Sequence, residues 1–360
     1  MSNTLAQISK AGVAVWLDDL SRDRLKSGSL VKLINEDSVV GVTTNPSIFA
    51  AAISKSDLYR SDILQNRDKS IEEIITKLTT DDVRQACDLF ANTFRETNEI
   101  DGRVSLEVDP RFALDAAATI KQGKELWDIV DRKNLLIKVP ATIEGLPAIT
   151  ELIAQGISVN ITLIFSIDRY RKVLDAFATG LEMRVKKSQD ISDVHSVASF
   201  FISRIDVEVD NQLDNHPDLK GLAAIANAIM AYEAFLEFEK SERWQKLLAH
   251  GGRLQRPLWA STGVKDPSYD KSRYVMSLVA TNTINTMPEA TLNAVKTSAV
   301  FEGDTIISNL KIAKVNLAKI ALAGVDLSKV TDALEIDGIA KFESAWLDLM
   351  SSVKSVISGS

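Results

Sequence analysis

Short apolar segments recur along the chain, and each is followed by a stretch in which apolar residues have helical spacing. The segments are rich in Val, Ile and Leu and are nearly continuous, which is typical of strands covered on both faces in a parallel sheet. They predict eight strands, at Val13–Leu17, Val39–Thr43, Val104–Val108, Leu135–Val139, Ile157–Ile161, Val197–Phe201, Leu258–Ala260 and Tyr274–Val279.

The stretches between these segments predict helices. Pro110–Val130 begins with a proline that suits a first helical turn, and Ser166–Lys187 begins with a capping serine and ends in basic residues. Ala50–Asn98 and Val207–His250 predict helical insertions, and the chain from Glu289 onward is also predicted to be helical.

The alternation of strands and helices predicts an α/β fold, a single (β/α)8 TIM barrel with extra helices inserted and at the C-terminus. No repeat or linker marks a boundary, so residues 1–360 are expected to form a single domain. The alternative is a doubly wound open sheet. It is disfavoured because no G-x-G-x-x-G follows the first strand and no P-loop sequence occurs in the chain.

Composition narrows the function further. The 360 residues are 25% charged with a net charge of -7, which lacks the basic footprint of a general nucleic-acid binder. The single cysteine, Cys87, excludes an internal disulfide. The three histidines, His195, His216 and His250, have no metal-ligand spacing and are expected at the surface, which disfavours metal-dependent chemistry but leaves an all-carboxylate Mg²⁺ site open.

No apolar stretch approaches the roughly 18 residues that span a bilayer, so no membrane partner is predicted. The first residues lack a basic segment followed by a long apolar one, which makes a cytoplasmic location the expectation. The apolar faces of the outer helices could be buried by packing or by association, so an oligomer is possible.

Polar residues stand where the apolar segments end. In a barrel, the C-terminal strand ends converge on one mouth, where active sites of this fold lie. Side chains two residues apart on a strand face the same way, so Asn160 and Thr162 are expected to point together. The strand-end residues are Asp18, Thr43, Asn45, Glu107, Lys138, Asn160, Thr162, Ser199 and Ser261, with Arg204 just beyond the sixth strand.

Lys138 is the most informative of these residues because it interrupts the apolar segment LLIKVP. Burial of an ammonium group costs several kcal/mol, which is why buried lysines are rare. Burial therefore lowers the pKa of the lysine and favours the neutral amine. A neutral amine is the nucleophile that forms a Schiff base with a carbonyl substrate. The alternative is a lysine that snorkels from the strand end into solvent.

The other strand-end residues each have two interpretations. Glu107 and Asp18 form a carboxylate pair that could move protons, or each could make a structural ion pair. Asn45 and similar polar residues could bind sugar hydroxyls or simply hold loop backbone. Arg204 could bind a phosphate or be an exposed residue at a helix start. The joint placement of these side chains at strand ends is what favours a site.

Several ordered motifs of the chain resemble those of transaldolases, in particular the longer bacterial branch of that family. The matching segments cover nearly the whole chain, and one of them contains Lys138. They are GVTTNPSIF (Gly41–Phe49), VSLEVDPR (Val104–Arg111), LLIKVPAT (Leu135–Thr142), GISVNITLIFS (Gly156–Ser166), SFFISRID (Ser199–Asp206), WAST (Trp259–Thr262) and NTMPEATL (Asn285–Leu292).

The resemblance implies a Schiff-base mechanism without metal or cofactor. Lys138 aligns with the lysine that forms the Schiff base. Glu107 matches an acid/base carboxylate that acts through a water held at Thr162, and Asp18 matches the carboxylate that assists carbon–carbon cleavage. The positions expected to bind substrate are Thr43, Asn45, Asn160, Ser199, Phe201, Arg204, Ser261 and Lys265, with Ser199 and Arg204 at the phosphate end and Phe201 as an aromatic wall.

One position departs from the family pattern. Many transaldolases have a second phosphate-binding Arg or Lys two residues after the serine of the WAST-like motif. In this chain Ser261 is followed by Thr262 and Gly263, and the nearest cation is Lys265. Lys265 is therefore the candidate for the second phosphate ligand.

The implied activity is that of the non-oxidative pentose phosphate pathway. Sedoheptulose 7-phosphate and glyceraldehyde 3-phosphate would give erythrose 4-phosphate and fructose 6-phosphate, so the expected partners are sugar phosphates. The alternatives are a related fructose 6-phosphate aldolase that releases free dihydroxyacetone, and a non-catalytic sugar-phosphate-binding barrel. Similar small aldolases tend to have Gln and Tyr where this chain has Glu107 and Phe201, which favours transfer.

Overall fold

The computed structural model describes residues 3–359, and its centre is a closed barrel of parallel strands. Strand β1 pairs with both β2 and β8, which closes the barrel and confirms the predicted (β/α)8 architecture. The strands are β1 Val13–Leu17, β2 Val39–Val42, β3 Arg103–Glu107, β4 Leu135–Pro140, β5 Val159–Ile164, β6 Ser196–Phe201, β7 Arg256–Ala260 and β8 Thr283–Met287.

Helices connect the strands, and several of them form the predicted insertions and the C-terminal tail. The last helix, α17, has 32 residues and packs against the helices that follow β2. The helices are α1 Thr4–Lys10, α2 Arg22–Lys26, α3 Ser29–Glu36, α4 Pro46–Lys55, α5 Arg60–Gln65, α6 Ile71–Leu89, α7 Ala91–Glu96, α8 Ala116–Val130, α9 Gly145–Ala154, α10 Ile167–Lys186, α11 Ser203–Asp210, α12 Ala223–Lys240, α13 Glu242–Ala249, α14 Arg273–Met276, α15 Glu289–Ser298, α16 Leu310–Leu322 and α17 Leu327–Ser358.

The predicted helix after β5 is confirmed together with its termini. The hydroxyl of Ser166 accepts a hydrogen bond from the backbone N–H of Arg169, which satisfies one of the free donors at the start of α10. Arg184 and Lys186 lie in its last turn, where positive charge suits the helix dipole. The order of polar and apolar residues therefore determined this helix locally.

The eighth strand was predicted at the wrong place. Tyr274–Val279 overlaps the short helix α14, and the strand lies at Thr283–Met287. Tyr274 is buried because its hydroxyl donates a hydrogen bond to Asp206 at 2.8 Å, not because it belongs to the sheet. The true strand has the sequence TINTM, whose polar residues interrupt the apolar pattern although all five residues are buried.

The predicted helix Pro110–Val130 is also shorter than expected. Pro110 begins a separate 3-10 turn that ends at Phe112, and α8 begins at Ala116. The side chain of Asp115 accepts a hydrogen bond from the N–H of Ala118 and so starts the new helix. The helix therefore begins at the capping residue Asp115 and not at Pro110, which was predicted to start it.

His195 was predicted to lie at the surface, but it is buried. It precedes β6 at the N-terminal end of the barrel and is 7% exposed. Burial, and then the positive charge of Arg103, lower the pKa of His195 to about 2, so the ring is neutral. His216 and His250 are exposed, as expected.

A close contact between β1 and β2 fills one side of the barrel interior. Trp16 is fully buried and lies opposite Gly41 in the register of these strands. A Cβ atom at Gly41 would lie 2.4 Å from Cε2 of the Trp16 ring. Position 41 must therefore be glycine because the indole occupies the space of its side chain.

We predict that Gly41→Ala lowers the free energy of unfolding by about 1–3 kcal/mol, because the added methyl overpacks the barrel interior. Denaturant unfolding of the purified protein measures this change. The double variant Gly41→Ala/Trp16→Leu should lose less than the sum of the two single changes, since leucine leaves room for the methyl. Strictly additive losses would show that the two side chains do not compete for space.

Candidate active site

A pocket of about 550 Å³ opens at the C-terminal ends of the barrel strands. This is the end at which the strand-end residues were predicted to converge. The predicted residues that line the pocket are Asp18, Thr43, Asn45, Lys138, Thr162, Ser199, Phe201, Arg204, Ser261 and Lys265. The two others, Glu107 and Asn160, are buried next to it and bond to Lys138 and Ser199.

Lys138 lies on β4 and stays inside the barrel. Lys138 is 4% exposed. Its Nζ donates hydrogen bonds to Oε2 of Glu107 at 3.0 Å and to the backbone oxygen of Thr44 at 3.1 Å. The lysine therefore does not snorkel into solvent. The pairing of Glu107 with Lys138 follows from strand register, because these residues are neighbours on β3 and β4.

Glu107 has the properties of a proton donor and acceptor near neutral pH. Burial raises its pKa to about 7, against the opposing effect of the Lys138 ammonium, and the nearby charge of Asp18 raises it further. Over residues 3–359, neither Oε1 of Glu107 nor the buried hydroxyl of Thr162 has a hydrogen-bond partner. These two atoms therefore retain capacity to bond a water molecule or a substrate group.

Asp18 follows β1 and lies on the pocket wall. Burial raises the pKa of its carboxyl, whereas the hydrogen bond from the Thr43 hydroxyl at 2.6 Å and the charge of Lys138 lower it. The Thr43 hydroxyl also lies 2.6 Å from that of Thr286. Because Thr43 gives its one hydroxyl proton to Asp18, Thr286 is the donor of that second bond.

A chain of hydrogen bonds crosses the barrel beside Lys138. The Ser199 hydroxyl donates to Oδ1 of Asn160 at 2.7 Å, and Nδ2 of Asn160 donates to the hydroxyl of Ser105 at 2.9 Å. All three residues are buried. The amide of Asn160 is thereby held in one orientation, with Ser199 bonded to it at the pocket wall.

Asn45 combines a structural contact with a place in the pocket. It precedes α4, and its Oδ1 accepts a hydrogen bond from the N–H of Ile48 at 3.0 Å. This hydrogen bond holds the loop backbone, which was one of the two roles considered for Asn45 from the sequence. The other role was substrate binding. Pro46 follows at the first helical position, where a missing N–H costs nothing.

Positive charge also lines the pocket, at Arg204 and Lys265. Arg204 lies in the first turn of α11, and burial lowers its pKa. Its Nη1 is buried without a hydrogen-bond partner in the described part of the chain, and the nearest carboxylate oxygen, of Asp337, is 3.7 Å away. Lys265 lines the same pocket, and burial and the charge of Arg204 lower its pKa. A buried donor beside a second cation is suited to an anion.

Two non-glycine residues at strand ends next to the pocket have left-handed backbone, Leu163 with φ +60° and Ser261 with φ +55°. Each such residue costs about 1 kcal/mol or more and persists only where its surroundings hold it. At Leu163 the register between β5 and β6 shifts. Ser261 is held by Ser203, whose N–H donates to its backbone oxygen and whose hydroxyl lies 3.1 Å from its own.

Several contacts of the site were not predicted from the sequence. The ring of Phe342, from α17, lies with its centroid 5.4 Å from Nζ of Lys138 and lines the pocket. Ser105 and Thr286 hold Asn160 and Thr43, and the Thr44 contact uses a backbone oxygen. Alternation along the strands could have found Ser105, which is two residues before Glu107 on β3. Nothing in the helical tail singles out Phe342.

Two general properties of the described residues complete the picture. Within residues 3–359 no helix has both the length and the apolar run needed to cross a membrane. In the same part of the chain, no three His, Cys, Asp or Glu residues are grouped so that they could hold a metal ion.

The arrangement can support carbonyl chemistry at an amine. A buried lysine faces a carboxyl that can exchange a proton near neutral pH, and a second carboxyl lies on the wall beside it. A fixed amide can orient hydroxyl groups, and the cationic side can bind an anionic end of the same molecule. These features match the requirements of Schiff-base formation on a phosphorylated sugar.

Comparisons with known proteins agree with this chemistry. The family described as Transaldolase/Fructose-6-phosphate aldolase matches residues 15–353. A protein named Transaldolase from Mycolicibacterium smegmatis is 52% identical over 357 residues, which cover 97% of this chain and 96% of the relative. One from Mycobacterium tuberculosis, also named Transaldolase, is 50% identical over 358 residues, with the same coverage. The chain belongs to the transaldolase/fructose-6-phosphate aldolase family.

Proposed function

We propose that this protein is a transaldolase that moves a dihydroxyacetone unit from a ketose phosphate to an aldose phosphate through a Schiff base on Lys138. The reaction converts sedoheptulose 7-phosphate and glyceraldehyde 3-phosphate into erythrose 4-phosphate and fructose 6-phosphate. The observation that carries the proposal is the Nζ of Lys138, buried 3.0 Å from Glu107 at the pocket. The names of the mycobacterial relatives support it.

The first step needs a neutral amine. The buried ion pair can become a neutral pair when one proton moves from Nζ of Lys138 to Oε2 of Glu107, which removes two charges from a dry site. Nζ then attacks C2 of the ketose, a C–N bond forms as the double bond between C2 and its oxygen opens, and one proton of the nitrogen passes to that oxygen, which becomes a hydroxyl. Glu107 gives its proton to the leaving hydroxyl, directly or through a water bound at Thr162, so water departs and a protonated imine remains.

The second step breaks the bond between C3 and C4. Asp18 takes the proton of the C4 hydroxyl, the C4 oxygen becomes a carbonyl, and the electron pair of the C3–C4 bond moves toward the positively charged nitrogen. The aldose phosphate leaves, and a neutral enamine of three carbons stays on Lys138. When the acceptor aldehyde binds, C3 attacks its carbonyl carbon, Asp18 returns the proton, and hydrolysis of the new imine frees the product ketose.

The remaining residues bind substrate in this scheme. Asn160, held by Ser199, orients the hydroxyls of the bound fragment, with Asn45 and Thr43 beside it. Arg204 and Lys265 take the phosphate, and Ser261 lines the same pocket. Phosphate binding supplies affinity far from the reacting bond, where it can hold the substrate in position for the reaction.

A transferase must also protect its enamine, and the pocket has features suited to this. Phe201 presents an apolar ring at the wall, packed against Phe165 at 5.2 Å between centroids. An apolar wall has no proton to give and limits access of water. This favours transfer over the related aldolase reaction, in which free dihydroxyacetone leaves.

The proposal is tested by mixing fructose 6-phosphate with erythrose 4-phosphate and following both sedoheptulose 7-phosphate and free dihydroxyacetone. We expect the ketose to form and free dihydroxyacetone to be a minor product. Lys138→Ala and the volume-matched Lys138→Met should abolish turnover by at least about a thousandfold, as loss of a nucleophile does. Both should fold, because Glu107 can be neutral without its partner.

Borohydride reduction with fructose 6-phosphate completes this test. Mass spectrometry should place the reduced three-carbon fragment on Lys138, and the exposed-lysine variant Lys133→Ala should be labelled as the wild type is. A fragment on another lysine, or none, would contradict the mechanism. Rapid dihydroxyacetone release without an acceptor would instead identify an aldolase.

The role of Arg204 is testable with and without a phosphate on the substrate. Arg204→Met should raise the KM for fructose 6-phosphate by about ten- to a hundredfold, the range expected for a charged hydrogen bond of roughly 1.5–3 kcal/mol. The rate with unphosphorylated fructose should hardly change. Lys265→Met should act in the same direction. An equal loss with both sugars would remove these residues from the phosphate site.

The hydrogen bond from Thr43 to Asp18 should be visible in the pH dependence of kcat/KM. In Thr43→Val the carboxylate loses a donor that lowers its pKa, so more Asp18 is protonated at a given acidic pH. The acidic limb of the profile should move to higher pH, because the base must be ionised to act. Thr43→Ser keeps the hydroxyl and should leave the limb in place. If the acidic limb of the pH profile lies at the same pH in Thr43→Val as in the wild type, Asp18 is excluded as the base.

A further inference from the structure

The C-terminal helix brings an aromatic ring into the pocket. Phe342, on α17, is 7% exposed, and its ring centroid lies 5.4 Å from Nζ of Lys138. Glu107 and the backbone oxygen of Thr44 are the hydrogen-bond acceptors of the same nitrogen. Two hydrogen-bond acceptors and the ring of Phe342 therefore surround Nζ of Lys138.

The position of this ring is fixed by the neighbouring turns of α17. One turn earlier, a Cβ at Gly338 would lie 3.0 Å from Cδ2 of Leu163, so the missing side chain lets the helix approach the end of β5. Just before it, Glu335 accepts a hydrogen bond from Arg169 at 3.0 Å. On the next turn, the ring of Trp346 lies 5.9 Å from the guanidinium carbon of Arg111. Contacts before and after Phe342 therefore hold the helix over the strand ends.

The nitrogen next to this ring changes charge during the proposed reaction. It is neutral as an attacking amine, positive in the protonated imine and neutral again in the enamine. The face of an aromatic ring attracts a cation within about 6 Å, and the attraction is stronger where water is excluded. Such a ring therefore favours the imine and the transition states near it more than it favours the free amine.

We propose that Phe342 is part of the active site, where its ring stabilises the protonated imine on Lys138 and keeps water from the enamine. This inference rests on the proposed Schiff-base function. It gives the C-terminal helix a part in the choice between transfer of the three-carbon fragment and its release.

The side reaction that the ring suppresses has a defined course. A proton from water adds to C3 of the enamine, which restores a protonated imine. A water molecule then attacks C2, the C2–N bond breaks, and free dihydroxyacetone leaves while Lys138 recovers its amine. Both events need water at the fragment. An aromatic side chain over the nitrogen occupies that space and offers no proton of its own.

The test compares Phe342→Leu with the wild type in transfer and in release. Leucine keeps apolar bulk but removes the π-face, so kcat for transfer should fall about tenfold, equivalent to about 1.4 kcal/mol in the barrier. The KM for fructose 6-phosphate should stay within about twofold, because Arg204 and Lys265 are unchanged. The fraction of turnovers that release dihydroxyacetone should rise about tenfold. Phe342→Tyr keeps the π-face and should restore kcat for transfer.

Two further measurements separate this role from simple packing. Val353→Ala removes buried volume from the same helix away from the pocket, and it should leave the release fraction at the wild-type value. If kcat for transfer in Phe342→Tyr is as low as in Phe342→Leu, or if Val353→Ala releases as much dihydroxyacetone as Phe342→Leu, the inference is overturned. If Phe342→Leu behaves as the wild type while borohydride still traps the fragment on Lys138, only this inference fails. If the wild type itself gives no adduct, the proposed function fails with it.

Discussion

The arrangement of the barrel mouth depends on keeping the Lys138 amine out of water. An unpaired lysine charge inside a strand of apolar residues would destabilise the fold. Glu107, the neighbour of Lys138 on β3, provides the opposite charge. The same burial raises the pKa of Glu107 to about 7. One constraint therefore yields both a partner for the amine and a group able to exchange protons near neutral pH.

The rest of the barrel makes this burial possible. Trp16 fills the interior against Gly41, and bonds among Ser105, Asn160 and Ser199 satisfy the polar side chains that face inward. Thr162 and Arg204, which line the pocket, each have a buried polar atom without a hydrogen-bond partner within residues 3–359, and a ligand could use these atoms. The interior thus combines close packing with a few polar side chains that are available for binding.

Much of this could be predicted from the sequence because it is encoded locally. Strand ends of a barrel meet at one mouth, so Lys138, Glu107 and Asp18 could be placed together from their positions after apolar segments. The eighth strand was missed because its buried threonines and asparagine satisfy no apolar pattern. Phe342 was missed for a different reason. It acts across the fold, and no local spacing tells which strand a distant helix will cover.

The strands of the barrel end at Met287, and α17 begins only at Leu327. During synthesis on the ribosome the eight strands therefore emerge before the helix that covers the amine. A chain that has been synthesised only as far as β8 lacks the aromatic ring that lies beside Lys138 in the complete structure. Docking of the last helix is therefore the step that completes the pocket wall beside this buried lysine.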